Sequence, residues 1–365
     1  MSLKCGIVGL PNVGKSTLFN CLSNAKAQSA NFPFCTIEPN IGMITVPDDR
    51  LNQLAKLVKP ESVVPTNIEI VDIAGLVKGA SNGEGLGNKF LANIRETNAI
   101  IHVLRCFDDE NITHVEGSVN PIRDKEIIDL ELQLKDLETL EKLKSKNIRS
   151  AETGNKSSKI LISIIDRCIS FLEQGKSLRS FDFSNEDYLQ ISNFNLLTIK
   201  PVLYLCNIDE QSINQTNKYV NEVKKIVNDE GAQILTIATS IESEIAELEN
   251  NDDRLMFLNE IGLSEPGVNN LITSTYQLLN LQTFFTAGKK EVRAWTIKKN
   301  SYAPQAAGVI HTDFEKGFIR AEVIAFDDFI SLGSELACKE AGKLSVEGKN
   351  YMVNDGDIMH FRFNV

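Results

Sequence analysis

The sequence lacks several features that would place it in a specialised class. No apolar run reaches the roughly 18 residues of a membrane-spanning helix, and the first apolar run is too short for a signal peptide. The ten prolines and 22 glycines follow no period, which excludes a collagen-like chain. The 365 residues are 42% hydrophobic and 24% charged, as in ordinary globular proteins. We therefore expect a cytoplasmic protein of about two or three domains with no membrane partner.

Cysteine and histidine patterns that would indicate cross-links or metal sites are also missing. The seven cysteines include no Cys-x-x-Cys pair and lie mostly in apolar runs, which indicates free thiols. The four histidines are scattered, without metal-ligand spacing. Acidic residues outnumber basic ones by 49 to 38, giving a net charge of −11. We expect no DNA binding through bulk charge, so any contact with RNA must use a local basic patch.

Short runs rich in isoleucine and valine alternate with helix-like stretches along much of the chain. We predict strands at 4–10, 41–46, 68–72, 99–105, 201–206 and 233–238. Apolar runs separated by helical patterns are typical of buried parallel strands in an α/β fold. The sequence therefore predicts an α/β domain made of residues 1–123 and 196–279.

Two further regions depart from this alternation. Residues 124–195 carry leucines at helical spacing, and the segment ETGNKSS at 152–158 divides them into two arms. This pattern predicts an inserted helical hairpin similar to a short antiparallel coiled coil. From residue 280 to residue 365, strand-like runs separated by glycine-containing turns predict a small α+β domain.

A phosphate-binding motif follows the first predicted strand. Residues 9–16 read GLPNVGKS, which matches GxxxxGK[ST] between a strand and a helix-like stretch. The glycines let backbone N–H groups face phosphate oxygens, and the helix N-terminus adds its positive end. Lys15 would act in catalysis on the β- and γ-phosphates, and the Ser16 hydroxyl would bind Mg²⁺. The residues predicted to bind nucleotide here are Asn12, Val13, Gly14, Lys15, Ser16 and Thr17.

A second motif, DIAG at 72–75, ends another predicted strand. Asp72 would hold a Mg²⁺-bound water, and the Gly75 N–H would face the γ-phosphate. Thr36 lies between the two motifs, where a switch threonine would complete the metal's ligands and sense the γ-phosphate. Mg²⁺ is therefore the predicted cofactor, with Ser16, Thr36 and Asp72 around it.

A third motif, NIDE, follows the strand predicted at 201–206. Guanine-specific P-loop proteins carry NKxD here, and its carboxylate accepts hydrogen bonds from two guanine donors. In this chain Asn207 is present, Ile208 replaces the lysine and Glu210 stands at the aspartate position. Sites that depend on such hydrogen bonds reject analogues lacking them by roughly 10⁴–10⁵-fold, so these replacements should weaken guanine selection. We expect these residues, with 238–240 beside them, to bind the base and to favour ATP over GTP.

Together these motifs resemble those of the YchF or Obg-like ATPase family, a branch of the Obg-type P-loop proteins. The resemblance covers the whole chain: the P-loop, DIAGLVKGASNGEGLG at 72–87, the NIDE variant, the inserted helices and the tail. In the tail, GVIHTDFEKGFIRAEV at 308–323 is similar to the TGS module of that family. The resemblance implies a P-loop NTPase of the G type with an inserted helical hairpin and a TGS domain at 280–365. It also implies ATP hydrolysis and association with the ribosome.

The residue that orients the attacking water is not obvious. Many P-loop GTPases have a glutamine directly after DxxG, but this chain has Leu76, which cannot hydrogen-bond water. The resemblance implies His114 as a catalytic residue, because a neutral imidazole can accept a hydrogen bond from water. A loop histidine without a role is the alternative. Asn12 stands where related proteins recruit potassium, so K⁺ is a second expected cation, whereas His102 in an apolar strand is expected to be a core residue.

Two basic runs interrupt the acidic chain. Residues 142–159 contain six basic residues against one acidic, and residues 289–299 contain five against one. Such runs can bind a phosphate backbone, although a solvated helix face has the same composition. Because the resemblance implies ribosome association, we expect a monomer that docks on ribosomal RNA or protein.

Two other functions stay open at this point. The chain could be a GTPase like other Obg-type proteins, which a comparison of ATP and GTP binding would reveal. It could also be a nucleotide-bound scaffold or regulator whose hydrolysis is incidental, an alternative that Leu76 keeps open. The scaffold predicts partner binding that depends on nucleotide and survives loss of turnover.

Overall fold

The computed structural model describes residues 3–27, 41–73, 86–248 and 250–364. Thr36 and Gly75, two of the predicted site residues, and Leu76 lie outside these ranges. The strands are β1 Lys4–Val8, β2 Ile41–Thr45, β3 Ser62–Val64, β4 Asn67–Asp72, β5 Ala99–Arg105, β6 Val202–Asn207, β7 Gln233–Ile237, β8 Leu281–Ala287, β9 Glu291–Lys298, β10 Phe318–Ile324, β11 Ser345–Glu347 and β12 Ile358–Phe363.

The helices are α1 Lys15–Ala27, α2 Asp49–Val58, α3 Leu86–Glu96, α4 Pro121–Glu152, α5 Lys156–Glu173, α6 Asn185–Ile191, α7 Lys218–Glu230, α8 Thr239–Glu247, α9 Asn251–Glu260, α10 Gly267–Leu278, α11 Ala303–Ile310, α12 Thr312–Lys316, α13 Phe326–Leu332 and α14 Glu335–Glu340. Among the described residues, no helix combines the length and apolar character needed to cross a membrane.

The chain forms two compact units. The first contains Met1–Met43 and Glu69–Leu271, and the second contains Ile44–Ile68 and Ile272–Val365. The predicted boundaries differ from this division at two places, because they assign residues 44–68 and 272–279 to the α/β domain. The physical reason for the first difference is β3, which pairs in parallel with β9 of the second unit.

The first sheet has the strand order β2-β4-β1-β5-β6-β7. Strand β1 lies parallel to β4 and β5, and β5, β6 and β7 continue the parallel pairing. All six strands predicted from the apolar runs are present, and the α/β class is confirmed. Strands β5 and β6 are buried along their whole length, which explains their nearly uninterrupted apolar composition. Parallel strands bring the P-loop, Asp72 and Asn207 to the same, carboxyl edge of the sheet.

The inserted helical hairpin consists of α4 and α5, and it begins earlier than predicted, at Pro121 rather than residue 124. Asn120 caps α4 by accepting a hydrogen bond from the Arg123 N–H, and proline at the first helical position has no N–H to lose. Asn155 caps α5 after the break at residues 153–155. The core between the two helices is built from Leu140, Ile164, Ile165, Cys168 and Leu172.

The second unit is organised around a sheet of order β11-β10-β12-β8-β9-β3. Strands β8 and β9 form an antiparallel hairpin, and β12 lies between β8 and β10. One face packs against α11, whose small residues allow close approach, and the other buries Leu51 and Leu54 of α2. The predicted small α+β domain at the end of the chain is therefore completed by a segment from near its beginning.

Candidate nucleotide site

The P-loop has the backbone geometry that its glycines require. Gly14 adopts a φ of +100°, and a Cβ there would lie 2.4 Å from the Asn207 Nδ2. A Cβ on Gly9 would lie 2.6 Å from the Val103 carbonyl oxygen. Either contact is too short for a real Cβ, so only glycine fits. Helix α1 begins directly after the loop, with the Leu18 N–H donating to the Gly14 carbonyl at 2.9 Å.

Lys15 is unusually buried for a lysine, with 7% of its surface exposed. Its ammonium donates to the Leu10 carbonyl at 2.7 Å. Burial lowers the pKa of Lys15 to about 8, although the nearby Asp72 carboxylate opposes this shift. A poorly hydrated cation interacts more strongly with an incoming phosphate than a solvated one does. The position suits stabilisation of phosphate charge.

Ser16 and Asp72, the two described residues predicted to hold the metal, lie side by side. The Ser16 hydroxyl, in the first turn of α1, donates to the Oδ2 of Asp72, the last residue of β4, at 3.3 Å. The Asp72 Oδ1 is buried and has no hydrogen-bond partner among the described residues. A hydroxyl beside an unpartnered carboxylate oxygen is a hard, oxygen-only donor set of the kind that Mg²⁺ prefers. The residues present therefore fit the predicted metal.

Asn207, the first residue of the NIDE segment, connects that segment to the P-loop. It is 2% exposed, its Nδ2 donates to the Val13 carbonyl at 2.9 Å, and its Oδ1 accepts from the Thr239 N–H at 3.1 Å. One amide side chain thus fixes the end of β6 against both the P-loop and the start of α8.

A cavity of about 410 Å³ opens beside Asn207. Its walls include P-loop residues, the NIDE segment and residues of the β5–α4 loop. The lining residues are Asn12, Gly14, Thr17, Phe107, Asp108, Asp109, Ile112, Asn207, Ile208, Asp209, Glu210, Thr239 and Ser240. The cavity thus brings the predicted base residues together with part of the P-loop.

The two acidic residues of NIDE have different surroundings. The Asp209 carboxylate accepts from the Ser212 N–H at 3.0 Å and caps the short 3₁₀ helix Glu210–Ser212. Glu210 is exposed at the cavity, and Ile208 is 6% exposed. The position of the guanine-family lysine is thus occupied by a buried apolar side chain. Asp209 is engaged in capping its own turn.

Arg105 is a site residue that the sequence interpretation missed. Although it is 1% exposed, its guanidinium donates to the carbonyls of Phe107, Asp109 and Ile112 at 3.2, 3.1 and 2.8 Å. These bonds shape the loop that forms one wall of the cavity beside Asn207. The sequence feature that could have revealed this role is the position of Arg105, a cation at the end of an otherwise largely apolar strand.

His114 lies on the same β5–α4 loop but is held away from free solvent. Its Nδ1 accepts from the Glu116 N–H at 3.1 Å, and its Nε2 lies 2.8 Å from the Asp124 Oδ2. The preceding Thr113 is joined to the P-loop, because Asn12 Nδ2 donates to its carbonyl at 3.0 Å. The structure thus links the predicted catalytic histidine to the P-loop, with both ring nitrogens already bonded.

His102 occupies the interior of β5, as expected for a core residue. It is 2% exposed, and burial lowers its pKa to about 3, which keeps the imidazole neutral. The six described cysteines are also buried free thiols, in agreement with the sequence interpretation.

The fold and this site define a P-loop nucleoside triphosphatase with a G-type domain. Comparisons with known proteins agree with that class. Residues 4–139 match the family model described as 50S ribosome-binding GTPase, and residues 281–364 match the YchF-GTPase C-terminal model, described as a protein of unknown function (DUF933).

Several relatives and one solved structure are similar along the full length. The chain is 54% identical to the ribosome-binding ATPase YchF of Pasteurella multocida and 51% identical to that of Bacillus subtilis, with 100% of each chain covered. The structure of the Schizosaccharomyces pombe YchF GTPase superposes with a TM-score of 0.90 at 40% identity, covering 99% of this chain and 98% of that one. The chain belongs to the YchF family.

Proposed function

We propose that the protein is a Mg²⁺-dependent ATPase that controls its association with the ribosome through the bound nucleotide. The observation that carries this proposal is the cavity in which P-loop residues meet a NIDE segment that departs from the guanine-reading pattern. The relatives that are named ribosome-binding ATPases support both the activity and the partner.

The base end favours ATP for a physical reason. Reading guanine requires a well-placed carboxylate, but Asp209 caps its own turn and Glu210 is one methylene longer than aspartate. The buried Ile208 offers an apolar surface where a lysine would stand. Adenine is then bound by apolar contact, by Asn207 and by backbone groups, and it needs no paired acceptor.

The phosphate end supplies the metal site and the charge stabilisation. Ser16 and Asp72 are the described groups proposed to hold Mg²⁺, which would shield phosphate charge when bound. Thr36 as a further ligand and the Gly75 N–H as a γ-phosphate contact remain proposals from the sequence, since both lie outside the described residues. Potassium near Asn12 is proposed as a second cation, tested by comparing turnover in potassium and sodium salts.

The inserted hairpin is proposed as a ribosome-docking element. Four of its basic residues are exposed and have no ion-pair partner among the described residues: Lys146, Arg149, Lys156 and Lys159. Lys142 and Lys144 are less available to bind RNA than the sequence alone suggests, because they pair with Glu138 and Asp166.

We also propose that the last 86 residues form the TGS domain. The protein is further proposed to be monomeric and cytoplasmic.

Phosphate release and ribosome co-sedimentation test this function together. The full chain should release phosphate from ATP only when Mg²⁺ is present, and ribosome binding should differ between ATP and ADP. Replacing Lys146, Arg149, Lys156 and Lys159 with glutamine should weaken co-sedimentation and leave turnover intact. If the protein hydrolysed ATP but bound the ribosome equally with ATP and with ADP, nucleotide control of ribosome association would be contradicted.

A further inference from the structure

The contact between His114 and Asp124 has a consequence for the timing of hydrolysis. Because the Glu116 N–H donates to Nδ1, that nitrogen carries no proton, so the proton of a neutral imidazole lies on Nε2. The Nε2–H then donates to the Asp124 Oδ2 at 2.8 Å. Both ring nitrogens are used, and neither can bond to a water that attacks phosphate.

Asp124 is well fixed to serve as the anchor. Its side chain is 2% exposed and that of His114 is 4% exposed, so water competes little for their hydrogen bond. The other oxygen of Asp124 accepts from the Nε and Nη2 of Arg123 at 3.3 and 3.1 Å, which sets the orientation of the carboxylate. Arg123 also donates to the Ser118 carbonyl at 2.5 Å, on the same loop as His114.

Helix α4 itself is attached firmly around Asp124. Lys125 pairs with Glu230 of α7 at 2.5 Å. Farther along, the buried Asp136 accepts from the N–H groups of Leu197 and Thr198, both at 2.8 Å. Release of His114 therefore requires displacement of the β5–α4 loop rather than of the helix.

The P-loop holds the adjacent residue of that loop. Asn12 donates to the Thr113 carbonyl at 3.0 Å, directly before His114. A nucleotide or cation that draws the Asn12 amide toward itself removes this bond, while the Asp124 contact with Nε2 and the Arg105 contact with the Ile112 carbonyl still hold the loop. The loop is thus attached both to the element that binds phosphate and to the hairpin that is proposed to dock.

We propose that Asp124 is a positioning residue that latches His114 in a resting conformation and thereby restrains ATP hydrolysis. This inference rests on the proposed ATPase activity and on the role in hydrolysis that the family resemblance implies for His114. When the hydrogen bond between His114 and Asp124 breaks, Nε2 becomes free to bond to water. The hydrogen bond from Asn12 to the Thr113 carbonyl links this release to occupation of the P-loop.

Steady-state ATP hydrolysis by four forms of the full chain tests the latch: wild type, Asp124→Ala, His114→Ala and the double variant. Loss of a hydrogen bond to a charged group should raise kcat of Asp124→Ala about tenfold, with little change in KM. The double variant should match His114→Ala, because the gain acts through the imidazole. Asp124→Asn keeps an acceptor oxygen for the Nε2–H, so its kcat should lie close to that of wild type and below that of Asp124→Ala.

The outcomes separate the latch from the proposed function. If Asp124→Ala is folded and no faster than wild type while His114→Ala is slow, the latch is wrong and the role of His114 stands. If His114→Ala turns over like wild type, His114 has no role in hydrolysis and the latch falls with it. Asp166→Asn, which removes an exposed hairpin pair with Lys144, is the matched control and should leave kcat unchanged.

A measurement on the wild type keeps the proposal testable if Asp124→Ala fails to fold. Nitrogen-15 labelling of the four histidines, with His114→Gln for assignment, reports which ring nitrogen carries the proton. The latch requires the Nε2–H form of His114 with a slowly exchanging proton. An Nδ1–H form, or a rapidly exchanging ring proton, would overturn it.

Discussion

The phosphate end and the base end of the proposed nucleotide site are built in different ways. The proposed phosphate end comes mainly from one continuous segment, residues 9–17, which supplies backbone groups and a buried lysine. The proposed base end is assembled from the NIDE segment, residues 239–240 and the loop after β5. Phosphates present the same oxygens in every nucleoside triphosphate, whereas bases differ in donors and acceptors. Base selection can therefore change at Ile208 and Glu210 while the phosphate end stays the same.

Loss of Lys15 should give the largest effect. Lys15→Ala removes a buried cation from the phosphate end, and removal of one such group typically lowers kcat by about 100-fold or more. Phosphate release at saturating ATP measures the change. Lys200→Ala is the matched control, since Lys200 is also buried with a pKa lowered to about 8 by burial but donates to the Arg95 carbonyl. If both variants lost hydrolysis equally, the effect would be one of folding.

Removal of the proposed metal ligand should have the next largest effect. Asp72→Asn takes away the charge beside Ser16, so half-maximal turnover should need about 10- to 100-fold more Mg²⁺. Titration of Mg²⁺ at fixed ATP measures this shift. Glu69→Gln on the same strand, which loses an ion pair with Lys4, should leave the Mg²⁺ requirement as in wild type. An unchanged requirement in Asp72→Asn would remove this residue from the metal site.

The lowered pKa of Lys15 gives a pH test of the phosphate end. Above pH about 8 the free protein loses this charge, so ATP affinity should weaken by up to about tenfold per pH unit. The free energy of unfolding should change with pH in the opposite sense. The unfolded chain keeps the Lys15 proton up to about pH 10.5, whereas the folded chain loses it above about pH 8. The Lys15 contribution to folding stability therefore rises as the pH increases from about 8 to about 10.5. Isothermal titration across this range checks the affinity. Lys15→Met should show neither trend, and a pH-independent wild-type affinity would contradict the assignment.

Restoration of the guanine-reading pattern should give the smallest effect, and it changes the base end alone. Combined Ile208→Lys and Glu210→Asp substitutions rebuild NKxD, and we expect the ratio of ATP to GTP affinity to shift toward GTP by about tenfold, or 1.4 kcal/mol. Competitive displacement of a fluorescent nucleotide measures the ratio. Hydrolysis of whichever nucleotide binds should continue, since the phosphate end is untouched. A shift toward ATP would show that these positions act on the base in another way.

Local patterns were sufficient for the first sheet and the hairpin. Strand β1, for example, is apolar and ends at a glycine-rich phosphate motif, so its type and its role are both evident in adjacent residues. The helical break at 153–155 is also local, because Asn155 caps the next helix with its own side chain.

Features that depend on distant residues were not predictable. Strand β3 has only three residues, and its partner β9 lies more than two hundred positions later, so no local pattern assigns 62–64 to the second sheet. The same holds for Arg105, because its role depends on hydrogen bonds to three carbonyls of a loop that folds around its guanidinium. Likewise, the sequence gives no sign that His114 is bonded to Asp124, since that contact depends on how the loop meets the first turn of α4.

Competitive titration of ATP and GTP against the purified full chain with Mg²⁺ shows whether the base end selects ATP. The arrangement of Ile208, Asp209 and Glu210 predicts that ATP binds at least about tenfold more tightly, a difference of 1.4 kcal/mol. Tighter binding of GTP would contradict it, because Glu210 would then have to accept both guanine hydrogen bonds despite its added length.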